Sequence, residues 1–145
     1  MTEIRNLGLA DRYAWAALRH ALWPHHSQSE LSDELEAMIG SGLAGFGAFD
    51  GAKLAGFAEV SERAYGAGCD TAPVAWLEGI YVDPDYRRGG IGRLLVEAIV
   101  QWALARGHSE LGSDVEIDNA LSLMTHASWG FAETKRVVML RRVLA

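Results

Sequence analysis

Tyr81-Val-Asp-Pro-Asp-Tyr-Arg-Arg-Gly-Gly-Ile-Gly-Arg-Leu-Leu95 is the stretch on which the fold turns. It reads as the end of a strand, a turn broken by Pro84, a glycine cluster flanked by Arg87, Arg88 and Arg93, and the start of a helix. Neighbouring glycines let the main chain approach a ligand closely, and the first turn of a helix leaves N–H groups without intrahelical partners. With the helix dipole, those donors make an anion site suited to a pyrophosphate. A Walker loop is excluded because no Gly-x-x-x-x-Gly-Lys-Ser/Thr run occurs, and a dinucleotide fingerprint needs a third glycine where Leu95 stands. An ordinary strand-to-helix turn with a basic start is the alternative for these residues.

Working outward, Ala75 to Val82 is the strand that enters this turn and Gly90 to Ala105 the helix that leaves it. The helix carries an apolar stripe at Ile91, Leu94, Leu95, Ala98 and Trp102, with Gly107 just past its end. Upstream, Thr2 to Leu7 reads as a strand. Ala10 to Trp23 reads as a helix with Tyr13, Ala17, Leu18, Ala21 and Leu22 on its apolar face, stopped by Pro24. Ser29 to Ile39 is a second short helix. Ala44 to Phe49 and Lys53 to Ser61 form a hairpin around Asp50-Gly51. Glu62 to Pro73 is a loop long enough to serve a function. Downstream come a strand at Glu110 to Val115, a helix at Asn119 to Ser128, and one long or two short closing strands over Phe131 to Val143. Strands first hairpinned and then joined through helices predict an α/β fold, a mixed sheet with helices on both faces.

Composition fits one domain over residues 1–145: half of the 145 residues are hydrophobic, which disfavours disorder. No apolar run reaches membrane-spanning length, so no membrane association is expected. Met1-Thr-Glu-Ile-Arg5 lacks the character of a signal peptide. The only cysteine, Cys69, excludes an internal disulfide framework and suits a cytoplasmic location. A net charge of −6 argues against nucleic acid and favours a cationic small-molecule partner. His20, His25 and His26 make no ligand spacing with Cys69, so no metal is expected.

Two carboxylates stand in chemically informative places. Glu78 interrupts the apolar strand Trp76-Leu-Glu-Gly-Ile-Tyr-Val82, and regular alternation would put it on one face with Trp76, Ile80 and Val82. A carboxylate there is costly to bury unless it pairs with an arginine or faces a cleft. In a cleft it would hold an ammonium or take its proton, and Gly79 beside it suits a bulge. Asp114 lies near the carboxyl end of the fifth strand, where ligands of open α/β sheets gather, although a turn or cap role suits it equally. Asn119 opens the next helix and suits an N-cap.

The Arg87-x-x-Gly90-x-Gly92 run after Val82-x-Pro84 resembles the acetyl-CoA motif of the GCN5-related N-acetyltransferase (GNAT) superfamily. Leu22-Trp-Pro24, Gly68-Cys-Asp70, Leu77-Glu-Gly-Ile80, Ser113-Asp114, Asn119, His126 and Gly130-Phe131 with Glu133-Thr134 are similar to the short, dimeric aminoglycoside 6′-N-acetyltransferases. The resemblance implies the GNAT acyl-CoA N-acyltransferase fold, acetyl-CoA as co-substrate, no metal, and a homodimer. It implies acetyl transfer to an aminoglycoside 6′-amine, an antibiotic-resistance activity. Trp23, Tyr65, Glu78 and Asp114 would contact the aminoglycoside, with Glu78 helping to deprotonate the amine. Main-chain groups of Ile80, Tyr81 and Val82 would meet the thioester and pantetheine, and Asn119 would contact the pantetheine arm. Arg87, Arg88, Gly89, Gly90, Ile91, Gly92 and Arg93 would hold the pyrophosphate.

Two positions depart from the resemblance. Lys135 stands where it implies an acidic residue, and His126 replaces a tyrosine that would protonate the leaving thiolate. A histidine can also donate a proton near neutral pH, though one on a helix also suits simple packing. Trp129, bulkier than the usual aliphatic residue before Gly130-Phe131, is expected to repack the core. The alternatives are a GNAT enzyme for another small amine or a protein N-terminus, and a non-catalytic acyl-CoA-binding module.

Overall fold

A computed structural model describes residues 2–145; Met1, with which the leader expectation begins, lies outside them. The chain forms β1 (Thr2–Leu7), α1 (Arg12–Leu22), α2 (Gln28–Gly40), β2 (Ala44–Asp50), β3 (Lys53–Arg63), β4 (Val74–Val82), α3 (Ile91–Ala105), β5 (Leu111–Gly112) and α4 (Ala120–Ser128). The strands lie in the order β1-β2-β3-β4-β5. The first three neighbouring pairs are antiparallel, and β5 joins β4 in parallel. The expected mixed sheet is therefore present, with the hairpin turning at Asp50-Gly51.

Helices cover both faces. Leu95 and Ile99 of α3 pack on Ala58, Val60, Ala75 and Leu77 of the sheet. On the other face Trp15 and Leu35 meet Phe49, Leu54 and Phe57. Each such large side chain taken fully out of water contributes about 1.5–3 kcal/mol, which makes these two layers the main source of cohesion.

Four expectations need correction. The inward face of α1 is Trp15, Ala16 and Arg19, whereas Tyr13 is 66% exposed and Ala17 and Ala21 face solvent. A buried polar contact to the sheet, described below, sets the rotation of this helix against its apolar spacing. In α3, likewise, Leu94 is exposed while Val96, Ile99 and Ala103 are buried. The closing strands do not form within the chain: residues 131–145 have no regular secondary structure, and β5 shrinks to Leu111–Gly112. Val138, Met139 and Leu140 are 82–88% exposed, because no neighbouring strand among the described residues receives them.

Candidate active site

The pairing of β3 with β4 shifts where Glu59 faces Gly79 and the next residue, Val60, faces Leu77. Glu78 is the extra residue of this bulge. The bulge changes which side chains share a face. Ala75 and Leu77 before it, and Ile80 and Val82 after it, all pack in the layer with α3. Regular alternation, which would have kept Glu78 with Ile80 and Val82, is thus broken. Glu78 turns instead toward the α1–α2 side.

There it meets a polar row on β3. Glu59, Ser61 and Arg63 alternate along that strand and so share a face. Arg63 grips Glu78 with a fork, Nε donating to Oε2 at 2.9 Å and Nη2 to Oε1 at 2.6 Å. The Ser61 hydroxyl donates to the same Oε2 at 2.5 Å. The Arg63 guanidinium also covers the Trp76 ring at 4.4 Å, and pairing with Glu78 raises its pKa, with the charge of Asp114 adding to the effect. The arginine partner that the strand chemistry allowed for Glu78 is therefore present.

Glu59 is fully buried and was not anticipated from the sequence. Its carboxylate accepts from Trp15 Nε1 and from Arg19 Nε, each at 2.7 Å. Burial pushes the Glu59 carboxyl upward from its ordinary 4.5, Glu78 adds to this, and Arg19 and Trp15 pull it back. Arg19 in turn lies 4.9 Å from the Trp23 ring. Trp23 rests on the main chain of Gly79, where a Cβ would lie 2.6 Å from Trp23 Cη2. The missed signal was a Trp15/Arg19 pair at i,i+4 on a helix, together with one acid inside the apolar run Leu54-Ala-Gly-Phe-Ala-Glu-Val60.

Arg19, Trp23, Glu59, Ser61 and Glu78 line a cleft of about 640 Å³ together with Glu34 and Glu62, while Arg63, paired with Glu78, stands outside the lining. Arg19 offsets Glu59 and Arg63 offsets Glu78, so the excess of carboxylates in the cleft wall rests on Glu34 and Glu62. Of the predicted acceptor residues, Trp23 and Glu78 come together here. Tyr65 and Asp114 are exposed and lie outside the residues that line this cleft. Thr134 and Lys135 lie against the loop after Tyr65: a Cβ at Gly68 would sit 2.5 Å from Thr134 Oγ1 and 3.6 Å from Lys135 Cβ.

The glycine turn leads into the N-terminus of α3. Gly90 has φ +81, and Arg88 has φ +70, a left-handed conformation that costs a residue with a side chain about 1–3 kcal/mol. The Leu94 N–H is bonded to the Gly90 carbonyl at 3.1 Å, which leaves the N–H groups of Ile91, Gly92 and Arg93 without intrahelical partners. Arg87 and Arg93 are committed to main-chain carbonyls, of Val82 and Ser128 respectively, each at 2.8 Å. Arg88 and Gly89 are exposed beside these donors. Trp129 does not enter the core: it packs on Gly92, where a Cβ would lie 2.9 Å from its ring, and so docks α4 beside the turn.

Asn119 caps α4, its Oδ1 accepting from the Ser122 N–H at 3.1 Å. His126 is held on both ring nitrogens. Nδ1 lies 2.9 Å from the Ser122 carbonyl, which can only accept, so Nδ1 carries the proton. Nε2, 2.9 Å from Ser113 Oγ, accepts from that hydroxyl while the ring is neutral. A proton taken up at Nε2 reverses that bond and frees the Ser113 hydroxyl to donate elsewhere. Cys69 is a poor nucleophile, because burial and the nearby Glu110 and Asp70 push its thiol up.

β5 pairs with β4 only at Ala75–Leu111 and Trp76–Gly112, so the edge of β4 facing β5 is unpaired by any strand beyond Trp76. Acidic cleft, open strand edge and N–H-rich turn therefore lie along one strand and its continuation.

The chain as a whole is similar to known proteins. The acetyltransferase (GNAT) family matches residues 9–131. An aminoglycoside N(6′)-acetyltransferase type 1 of Serratia marcescens is 45% identical over 141 residues, covering 90% of this chain and 92% of that protein. The Salmonella enteritidis enzyme of the same name is 37% identical, covering 97% and 98%. Among solved structures, AAC(6′)-Iy in complex with the bisubstrate analogue CoA-S-monomethyl-acetylneamine superposes with a TM-score of 0.92 at 34% identity, covering 99% of each chain. AAC(6′)-Ih from Acinetobacter baumannii gives 0.90 at 33% identity over the whole of both chains.

Proposed function

Because the chain belongs to the acetyltransferase (GNAT) family, we propose that it transfers acetyl from acetyl-CoA to the 6′-amine of an aminoglycoside. The observation that carries this is Glu78, bulged out of an apolar strand into an acidic cleft beside Trp23. The full-length relatives named as aminoglycoside N(6′)-acetyltransferases supply the acceptor class.

When bound, acetyl-CoA supplies an activated acetyl thioester. The N–H groups of Ile91, Gly92 and Arg93, with Arg88, suit its pyrophosphate. The open edge of β4 around Ile80 to Val82 suits its pantetheine amides, with Asn119 alongside. Arg87 contributes by fixing the turn, since its Nε is tied to Val82. The acidic cleft draws in a polycation, and Trp23 offers a flat wall for a sugar ring. Glu78 takes a proton from the bound ammonium through water, and the freed amine forms the N–C bond as the C–S bond breaks. A main-chain N–H near Tyr81 steadies the oxyanion. The thiolate collects a proton from the Ser113–His126 pair. Holding both reactants in one cleft supplies much of the acceleration.

The chain also acts as a homodimer, in which the exposed apolar run from Val137 to Leu140 finds its cover, since patches of this kind mark association surfaces. A purely monomeric sedimentation profile at micromolar concentration would contradict this. A cytoplasmic location follows from the chemistry of the acetyl donor, and none of the described helices is long and apolar enough to cross a membrane.

The deciding experiment is acetyl-CoA-dependent thiol release with pairs of aminoglycosides that differ only in an amine or a hydroxyl at 6′. Turnover confined to the 6′-amino members supports the assignment. Turnover with none of them, alongside demonstrated acetyl-CoA binding, overturns the acceptor and leaves the fold and donor chemistry standing. Lys135 favours a second reading, a different small amine, and an amine panel in the same assay separates the two.

A further inference from the structure

The carboxylate expected to receive the acceptor's ammonium is already engaged by a cation of this chain. Arg63 binds both Glu78 oxygens, and Ser61 takes a further lone pair, so most of the roughly four acceptor positions of the carboxylate are in use. The guanidinium is also the outer partner: the Arg63 side chain is 40% exposed and that of Glu78 22%. Stacking on Trp76 presets its orientation, and Asp114 lies close enough for its charge to act on Arg63. A carboxylate paired in this way offers little net attraction to a second cation. The Glu59–Arg19 pair beside it is sealed in the protein, whereas the Glu78–Arg63 pair faces water and can exchange partners.

We propose that Arg63 is a resident counter-cation of the acceptor site, holding Glu78 until an ammonium of the acceptor displaces it, and so setting the affinity that a cationic amine must exceed. This rests on the acceptor chemistry proposed above. Displacing a partly exposed, fork-shaped pair forfeits the modest energy typical of such contacts, so removing Arg63 should tighten acceptor binding about two- to fivefold. Removing the positive charge paired with Glu78, a residue of the cleft wall, should also steepen the salt dependence of binding.

The test is calorimetric titration of the CoA-saturated full chain with neamine, and with spermidine as a second polycation, at several ionic strengths. Arg63→Ala and Arg63→Gln are compared with wild type; the glutamine variant keeps a polar group over Trp76. Expected are a two- to fivefold fall in Kd for both variants, a steeper dependence on salt, and no tightening when Glu78→Gln is added. An unchanged or raised Kd in both variants overturns the proposal, because Arg63 would then be indifferent to the acceptor or would hold Glu78 in place for it. Tightened neamine binding without acetyl transfer would sink the aminoglycoside assignment while supporting the role of Arg63. Normal transfer with an unchanged Kd would do the reverse.

Discussion

Arg19→Met should expose how the floor of the cleft is held together. Arg19 is 4% exposed and Glu59 fully buried, so the methionine variant leaves a carboxylate in the interior with Trp15 as its remaining donor among the contacts seen here. The variant can keep Glu59 charged, at about 3–5 kcal/mol for an uncompensated buried charge. It can instead bind a proton: for a carboxyl of ordinary pKa 4.5 at pH 7 this costs about 3.4 kcal/mol, at about 1.4 kcal/mol per pH unit. The cheaper route caps the loss, so at most about 3.4 kcal/mol is expected near neutrality. The sign with pH follows from the same group. Glu59 sits above its unfolded value, so the stability it contributes is greatest below that value and declines as pH rises through the folded one. Without Arg19 the folded value climbs further, so the variant's deficit relative to wild type should grow as pH rises, by at most about 1.4 kcal/mol per unit. Urea unfolding at three pH values measures this, and Arg19→Met/Glu59→Gln should recover most of the loss and flatten the slope. A loss below about 1 kcal/mol at pH 7, or one that ignores pH, would refute the idea that the two form a coupled buried pair.

Glu78→Gln should lower kcat/KM for the acceptor by about 10²–10⁴, the usual span for a lost general base, with the acetyl-CoA KM little changed. If it and Asp114→Asn both keep wild-type kcat/KM, neither carboxylate belongs in the mechanism. Gly79→Val places a side chain where Trp23 lies, so acceptor KM should rise several-fold while acetyl-CoA binding persists, at an overpacking cost of about 1–3 kcal/mol. An unchanged acceptor KM would show that Trp23 is no wall of the site. Glu110 is held below its ordinary value by the Thr71 hydroxyl first, then by the Asp70 and Thr71 N–H groups. Its contribution is present above 4.5 and lost as pH falls through the lowered value. Thermal melting between pH 3 and 6 should show a shallower acid decline in Glu110→Gln, and superimposable curves would dismiss the anchor.

What the sequence made legible was what depends on local chemistry. Asp50-Gly51 turned a hairpin, Asn119 capped a helix, and the spacing from Val82 to Gly92 marked a strand, a turn and a helix start. Misread were features fixed by distant partners. Of the expected α1 face, Leu18 and Leu22 do pack on the core, but Tyr13, Ala17 and Ala21 face solvent because Trp15 and Arg19 turn inward to reach Glu59, forty or more residues away. Residues 137–140 have strand-like composition, yet strand formation needs a neighbour that this chain alone does not offer. Glu78 and Gly79 suggested the bulge; that its extra residue would meet Arg63 depended on the register with β3, which local patterns do not encode.

The open edge of β4 has a further consequence. Beyond Trp76 the strand presents its main chain, not its side chains, toward the gap left by the short β5. A partner docking there would be recognised by amides that every residue type carries. Side chains at Ile80 and Val82 are then free to follow the demands of the α3 layer, and drift at these positions would leave no trace in donor affinity. The proposed acceptor cleft, written in the side chains of Trp23, Glu59 and Glu78, has no such latitude. If the proposed roles hold, descendants of this chain should diverge in drug preference by single substitutions in the cleft, while use of one donor persists through turnover at Ile80 and Val82.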